Sequence, residues 1–215
     1  MRQGSLMLQQ GRFEAALDKF TKAEKVAPGN ATTLNMIGLC HMRLENYDQA
    51  LLSFNRALAL IPAFTDARNN RGATYLAMGQ YRMAEVDFTE VLSDSTYPHR
   101  FNVFYNLGIT YLQRGLPSAA KDNFRQALDA QQPVFEAYLQ LSEIEQQEGS
   151  PEAAVILLEE ATIKFPNRVE APLELGRLLT YLGRKGEAEP YLLEVIADEP
   201  GSGFARDARA LLGED

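Results

Sequence analysis

Two histidines, one cysteine, one adjacent pair of glutamates and one serine between glycines are the residues of this chain whose types could do chemistry. His41 and His99 could serve as general bases, but neither has a nucleophile placed for it by the spacing. Glu159 and Glu160 are neighbours in a helical register, where they point about 100 degrees apart, so they do not form a facing acid and base. Gly201-Ser202-Gly203 resembles no nucleophile elbow, because no strand precedes it and a short helical pattern follows. A structural zinc site wants about four Cys or His ligands, and one cysteine with two distant histidines cannot supply them. One cysteine also makes no internal disulfide. Asn30-Ala31-Thr32 matches a glycosylation sequon, a short pattern with many false positives. The expectation is therefore no catalytic residue, no metal and no cofactor.

What these residues sit in is a repeat. Gly4, Gly38, Gly72, Gly108, Ser142 and Gly176 follow one another at intervals of 34, 34, 36, 34 and 34 residues. The series Ala16, Ala50, Ala84, Ala120, Ala154 and Ala188 keeps the same intervals, as do Phe20, Phe54, Phe88, Phe124, Leu158 and Leu192. Ala23, Ala57, Val91, Ala127, Ala161 and Val195 form a fourth register, and Pro28, Pro62, Pro98, Pro133, Pro166 and Pro200 close the repeats at slightly variable spacing.

Within a repeat the apolar steps are threes and fours: Leu34, Ile37, Gly38, His41 and Leu44, then Tyr47, Ala50, Leu51, Phe54, Ala57 and Leu58. The break between the sets, Glu45-Asn46 here and Met78-Gly79-Gln80 or Arg114-Gly115-Leu116 elsewhere, predicts a short turn with glycine available for a left-handed helix end. Each repeat is thus predicted to be a helical hairpin, helix A then helix B. The small residue of helix A is expected to face the Ala of helix B, with the Phe or Leu one turn later filling space between neighbours.

Composition agrees with a folded helical chain. The 215 residues are 46% apolar, enough for a core. The charge balance, 21 Lys and Arg against 29 Asp and Glu, gives a net charge of −8 and no basic footprint for a phosphate backbone, so nucleic acid is excluded as a partner. Apolar runs are far shorter than the roughly 18 to 20 residues of a membrane helix, and residues 1–10 lack the apolar core of a signal peptide.

The pattern resembles the tetratricopeptide repeat family, whose marks are Leu-Gly in helix A, an aromatic after the turn, Ala-x-x-x-Phe-x-x-Ala in helix B and a closing Pro. Ile37-Gly38, Tyr47, Ala50, Phe54, Ala57 and Pro62 carry it in the second repeat, and Leu175-Gly176, Ala188, Leu192 and Pro200 carry a weaker form in the sixth. The resemblance implies an all-α fold, a right-handed superhelix or α-solenoid of about six hairpins forming one array over 1–215. Its repeats would be 1–30 (cut), 31–64, 65–100, 101–134, 135–168 and 169–201, with a capping helix over 202–213. Gln3-Gly4 stands at the first Leu-Gly position with little before it, so Met1 reads as an artificial boundary or a late start. Ser202 is expected to cap the last helix, with Phe204, Ala208, Leu211 and Leu212 on its apolar face and Arg206, Asp207 and Arg209 on the other.

By the same resemblance the concave wall is lined by the A helices and binds a protein or peptide segment. The groove positions would be Asn35, Leu39 and Met42; Asn69, Asn70, Ala73 and Leu76; and Asn102, Tyr105, Asn106, Ile109 and Leu112. Apolar side chains would take those of the ligand, while amides hold its backbone; Asn70 and Asn106, at one repeat position, resemble an asparagine ladder. His41 replaces the aromatic usual at a packing position, and Cys40 reads as a small buried apolar residue. The later repeats put Glu136, Glu143, Glu170 and Glu174 in the groove, which implies either a basic partner segment or an ordinary solvated acidic face. The Lys and Arg clamp of chaperone-binding members is missing, which argues against a reader of acidic C-terminal tails.

The one interval of 36 marks an insertion at Asp94-Ser95-Thr96-Tyr97-Pro98-His99-Arg100, predicted to be an extended turn because Pro98 biases Tyr97 away from helix. Around it, Asp94-x-x-Tyr97-Pro98-x-Arg100-x-x-Val103-Phe104-x-Asn106-Leu107-Gly108, with Leu112-Gln113, Pro117, Ala120-Lys121 and Phe124, resembles the type IV pilus biogenesis lipoproteins, the secretin pilotins. Asn69-Asn70-x-Gly72 and Pro200-Gly201-Ser202 fit the same family. That resemblance implies a periplasmic scaffold, lipid-anchored to the outer membrane, whose partner is a secretin subunit. Cys40, inside helix A of repeat 2, cannot be the anchor, so membrane attachment would come only through a lipidated Cys outside this chain. Two other readings stay open: a cytoplasmic adaptor or assembly chaperone for an unrelated complex, and the regulatory arm of an enzyme whose catalytic domain lies elsewhere.

Overall fold

The computed structural model describes residues 2–129 and 134–214; Pro133, one of the six closing prolines, lies outside them. Among the described residues there are thirteen helices and no strand. Helices A and B alternate: α1 (Arg2–Gln9) and α2 (Phe13–Val26), α3 (Ala31–Arg43) and α4 (Tyr47–Leu60), α5 (Thr65–Ala77) and α6 (Tyr81–Ser93), α7 (Arg100–Gln113) and α8 (Pro117–Leu128), α9 (Phe135–Gln147) and α10 (Pro151–Lys164), α11 (Glu170–Tyr181) and α12 (Lys185–Asp198). The last is α13 (Gly203–Leu212). Two compact units divide the chain, Met1–Asn123 and Phe124–Asp215, so that the last turn of α8 belongs to the C-terminal unit.

The A-to-B turns are built alike. Residues 11, 79, 115, 149 and 183 are glycines with φ between 70° and 78°, the left-handed conformation that costs an L side chain energy. At the equivalent place in the second hairpin stands Glu45, with φ 60°. Each turn closes the helix end with a pair of backbone bonds, as when Glu45 donates to the Met42 carbonyl and Asn46 to that of His41.

The atoms nearest the helix-A glycine belong to the large side chain of helix B. A Cβ built on Gly38 would lie 2.6 Å from the Phe54 ring, and one on Gly4 or Gly72 would lie 2.8 or 2.9 Å from the rings of Phe20 or Phe88. The close approach is therefore to the aromatic of helix B, whose flat ring lies against the bare backbone, and not to the alanine one turn earlier. Phe20, Phe54 and Phe88 are fully buried, so the ring has nowhere to retreat. Gly176 repeats the arrangement with Leu192, 2.5 Å from the built Cβ.

The insertion is pinned at several points. Tyr97 is buried and its hydroxyl donates to Asp66 at 3.1 Å, while Arg100 donates to the carbonyls of Leu92 and Asp94. Asp94 accepts from the Thr96 amide and hydroxyl, which holds its carboxyl below the usual range. In the C-terminal unit Ser202 caps α13 by accepting from the Ala205 amide, and Ala205 and Ala208 are buried beneath the helix. Phe204 is 38% exposed, so the capping helix seats its alanines and leaves this ring at the margin.

Candidate functional site

The A helices α3, α5 and α7 of the N-terminal unit are in contact in series, α5 touching both of the others, so their outward positions form one surface. Leu39, Met42, Ala73, Leu76, Tyr105, Asn106, Ile109 and Leu112 are half-buried there and Asn102 is exposed. Ala73 and Leu76 rest on the cluster of Tyr75, Phe88 and Val103, which gives the surface a rigid base. Asn35 is only 2% exposed and its side-chain oxygen accepts from the Asn70 amide at 3.0 Å. It holds Asn70 from below, linking the second repeat to the third. The side-chain oxygen of Asn69 is buried and has no hydrogen-bond partner.

His41 and Cys40 stand as packing residues. Burial lowers the His41 pKa and leaves its Nδ1 without a partner, and burial pushes the Cys40 thiol up to about 11. Among the described residues no group of three His, Cys, Asp or Glu could hold a metal ion.

The acids of the later repeats are partly neutralised where they stand. Arg168 reaches Glu136 at 3.1 Å and Glu170 at 3.2 Å and lies 4.0 Å from the centre of the Phe135 ring, while Arg177 sits 3.8 Å from Glu174 and 3.4 Å from Asp207. Two cations shared among four carboxylates weaken the local pull on a basic segment without cancelling it.

Sequence reasoning missed one buried constellation. Arg71 donates from Nε and Nη2 to both oxygens of Asp87 at 2.8 and 2.6 Å, and from Nη1 to Asn55 at 2.7 Å, tying α4, α5 and α6 together. Asp87 is 1% exposed. The signal lay in the register: Arg71 precedes its glycine where Ile37, Leu107, Leu141 and Leu175 precede theirs or its serine equivalent, so a charge there called for a buried partner.

With this geometry in view, comparison with known proteins is informative. A family model described as tetratricopeptide repeat matches residues 1–67 and 105–169. The CTR9 homolog of Arabidopsis thaliana is 25% identical over 255 aligned residues, covering 98% of this chain and 23% of that protein. The type IV pilus assembly protein PilF of Pseudomonas aeruginosa is 29% identical over 121 residues, 56% of this chain and 48% of PilF. The chain thus spans between about a quarter and about half the length of these curated relatives. A solved structure of Pseudomonas aeruginosa PilF superposes with a TM-score of 0.77 at 22% identity, over 100% of this chain and 95% of that one. PilW, described as a widely conserved type IV pilus biogenesis factor, gives 0.82 at 20% identity, over 98% and 96%. At these identities the superpositions speak for the fold. No enzymatic family is indicated. Hairpin, turn, register and family model agree: the chain belongs to the tetratricopeptide repeat family, whose helical hairpins serve as protein-interaction scaffolds.

Proposed function

We propose that this chain is a non-catalytic scaffold of type IV pilus biogenesis that docks a segment of a partner protein on the α3, α5 and α7 surface. The observation that carries the reading is that surface itself: apolar side chains interspersed with amides, over a rigid base. It suits an extended or helical segment read through its side chains and backbone. The likeness to PilF and PilW supports placing the scaffold in pilus assembly; a secretin subunit as the partner and a periplasmic, outer-membrane-anchored location are what the resemblance of the Asp94 to Gly108 stretch implies. Among the described residues no helix is long and apolar enough to cross a membrane. The anchor in this reading is a lipid carried by a cysteine other than Cys40, which is buried.

The test is the double substitution Tyr105→Ala and Leu112→Ala. Affinity for the purified secretin subunit should fall about tenfold or more, equivalent to roughly 1.4 kcal/mol, with helix content unchanged by circular dichroism. Equal affinity would move the site off this surface. Intact mass and membrane fractionation of the protein from its source cells give the second arm: acyl chains and the outer-membrane fraction support the pilus reading, and an unmodified cytoplasmic chain favours the adaptor for an unrelated complex.

A further inference from the structure

The C-terminal unit carries a second apolar surface that its own fold does not cover. Helix α10 reads Pro-Glu-Ala-Ala-Val-Ile-Leu-Leu-Glu-Glu-Ala-Thr-Ile-Lys, and its exposed positions set Ile156 and Ile163 among Glu152, Glu160 and Lys164. Ala154, Val155, Leu158 and Ala161 are buried inward as the repeat requires. Ile156 and Ile163, two turns apart on the outer face, are 60% and 78% exposed. A helix with one face on the core ordinarily turns polar residues to solvent; here two isoleucines stand among the charged residues of that face. Beside it, between α10 and the last turn of α8 and floored by α9, opens a cleft of about 390 Å3 lined by Leu128, Tyr138, Leu141, Ile156 and Leu157.

The charges around the cleft say what would enter it. Its two cations are engaged: Arg125 donates to Glu145 at 3.3 Å, and the Lys164 ammonium donates to the Tyr138 hydroxyl at 2.6 Å with Glu160 at 3.8 Å. Asp129 lies at the exposed margin, and Glu160, although paired with Lys164, keeps 53% of its side chain in solvent. The surrounding unit is strongly acidic. Phe124–Asp215 holds 8 Lys and Arg against 18 Asp and Glu, whereas Met1–Asn123 holds 13 against 11. An acidic segment would be repelled from this face and a basic one drawn to it.

We infer that the outer face of α10 and its cleft form a second docking site, for a basic amphipathic segment of a protein partner. One of its apolar side chains enters the cleft over Leu157 and Ile156, a second covers Ile163, and its Lys or Arg residues meet Glu160 and Asp129. This site shares no residue with the α3, α5 and α7 surface, and it lies in the other unit.

The full chain, labelled with 15N, would be titrated with a synthetic helical peptide of roughly a dozen Leu and Lys residues arranged amphipathically. Two control peptides replace every Leu by Ser or every Lys by Glu. The expected result is amide shifts centred on Ala153, Ile156 and Glu160, an affinity about tenfold weaker for the double variant Ile156→Ser with Glu160→Gln, and loss of binding by both controls. Tyr105→Ala with Leu112→Ala should leave this affinity unchanged. Equal binding of the Ser peptide would reduce the effect to bare charge and overturn the site. So would shifts centred on α3, α5 and α7, an unaffected Ile156 and Glu160 variant, or no binding at all. Failure here with loss of secretin binding in the Tyr105 and Leu112 variant would leave the first surface standing alone.

Discussion

The Asp87 carboxylate, almost out of reach of water, is held at both oxygens by one guanidinium, and the energetics of such a pair are lopsided. Removing one partner strands the other charge, so Asp87→Ala should destabilise the protein by about 3 to 5 kcal/mol in urea unfolding. Replacing both, with Arg71→Leu and Asp87→Leu, should cost far less, because an apolar pair needs no desolvation offset. If the single and double variants lose the same stability, the pair is not the cause. Cys40 gives a second check at this scale. Its thiol is pushed up to about 11 by burial, from an ordinary value of 9.0. The folded protein keeps the proton that the unfolded chain gives up, so the contribution is intact below pH 9 and is lost as pH rises from 9 toward 11. A thiol reagent at pH 8 should label Cys40 only as fast as the protein opens; rapid labelling of the folded chain would show the burial to be wrong.

At the scale of the element, the left-handed turn is the part most easily improved. Glu45 holds φ 60° where every other hairpin among the described residues uses glycine. Left-handed backbone costs an ordinary residue about 1 to 2 kcal/mol, part of which glycine gives back in unfolded-state entropy, so Glu45→Gly should gain roughly 0.5 to 1 kcal/mol in thermal unfolding. An unchanged or lower midpoint would mean that the glutamate side chain compensates for its backbone. These turns were legible in the sequence because glycine punctuates at a fixed interval and threes and fours separate the helices. What faced what was less so. Spacing puts Gly38, Ala50 and Phe54 on neighbouring faces but cannot say that the flat Phe54 ring, and not the Ala50 methyl, fills the space a Cβ would take. Nor could spacing show that Phe204 stays at the margin of α13 while Ala205 goes under it, since buried Ala208 lies one turn from both and its position does not decide between them.

Over the whole molecule the repeat register was legible and the polar interactions that cross it were not. Asn35 fell at a groove position by register, yet it is folded beneath Asn70, because a hydrogen bond between consecutive repeats depends on side-chain reach and leaves no trace in the interval. Arg168 similarly comes from outside the helices to quiet the acids of α9 and α11. The way the helices are joined has one more consequence. The helices other than α8 pack chiefly on their neighbours in sequence, and α13 rests on α12 and, more lightly, on α11. A chain joined in this way unravels from its ends like a zip, each hairpin leaving without tearing the next. Amide hydrogen exchange should therefore be fastest in α13 and slow progressively toward α9 within the C-terminal unit; uniform protection there would mean that the unit opens all at once. A scaffold that loosens at its margin first can lose its last helix under heat or strain and still keep the cleft beside α10 intact.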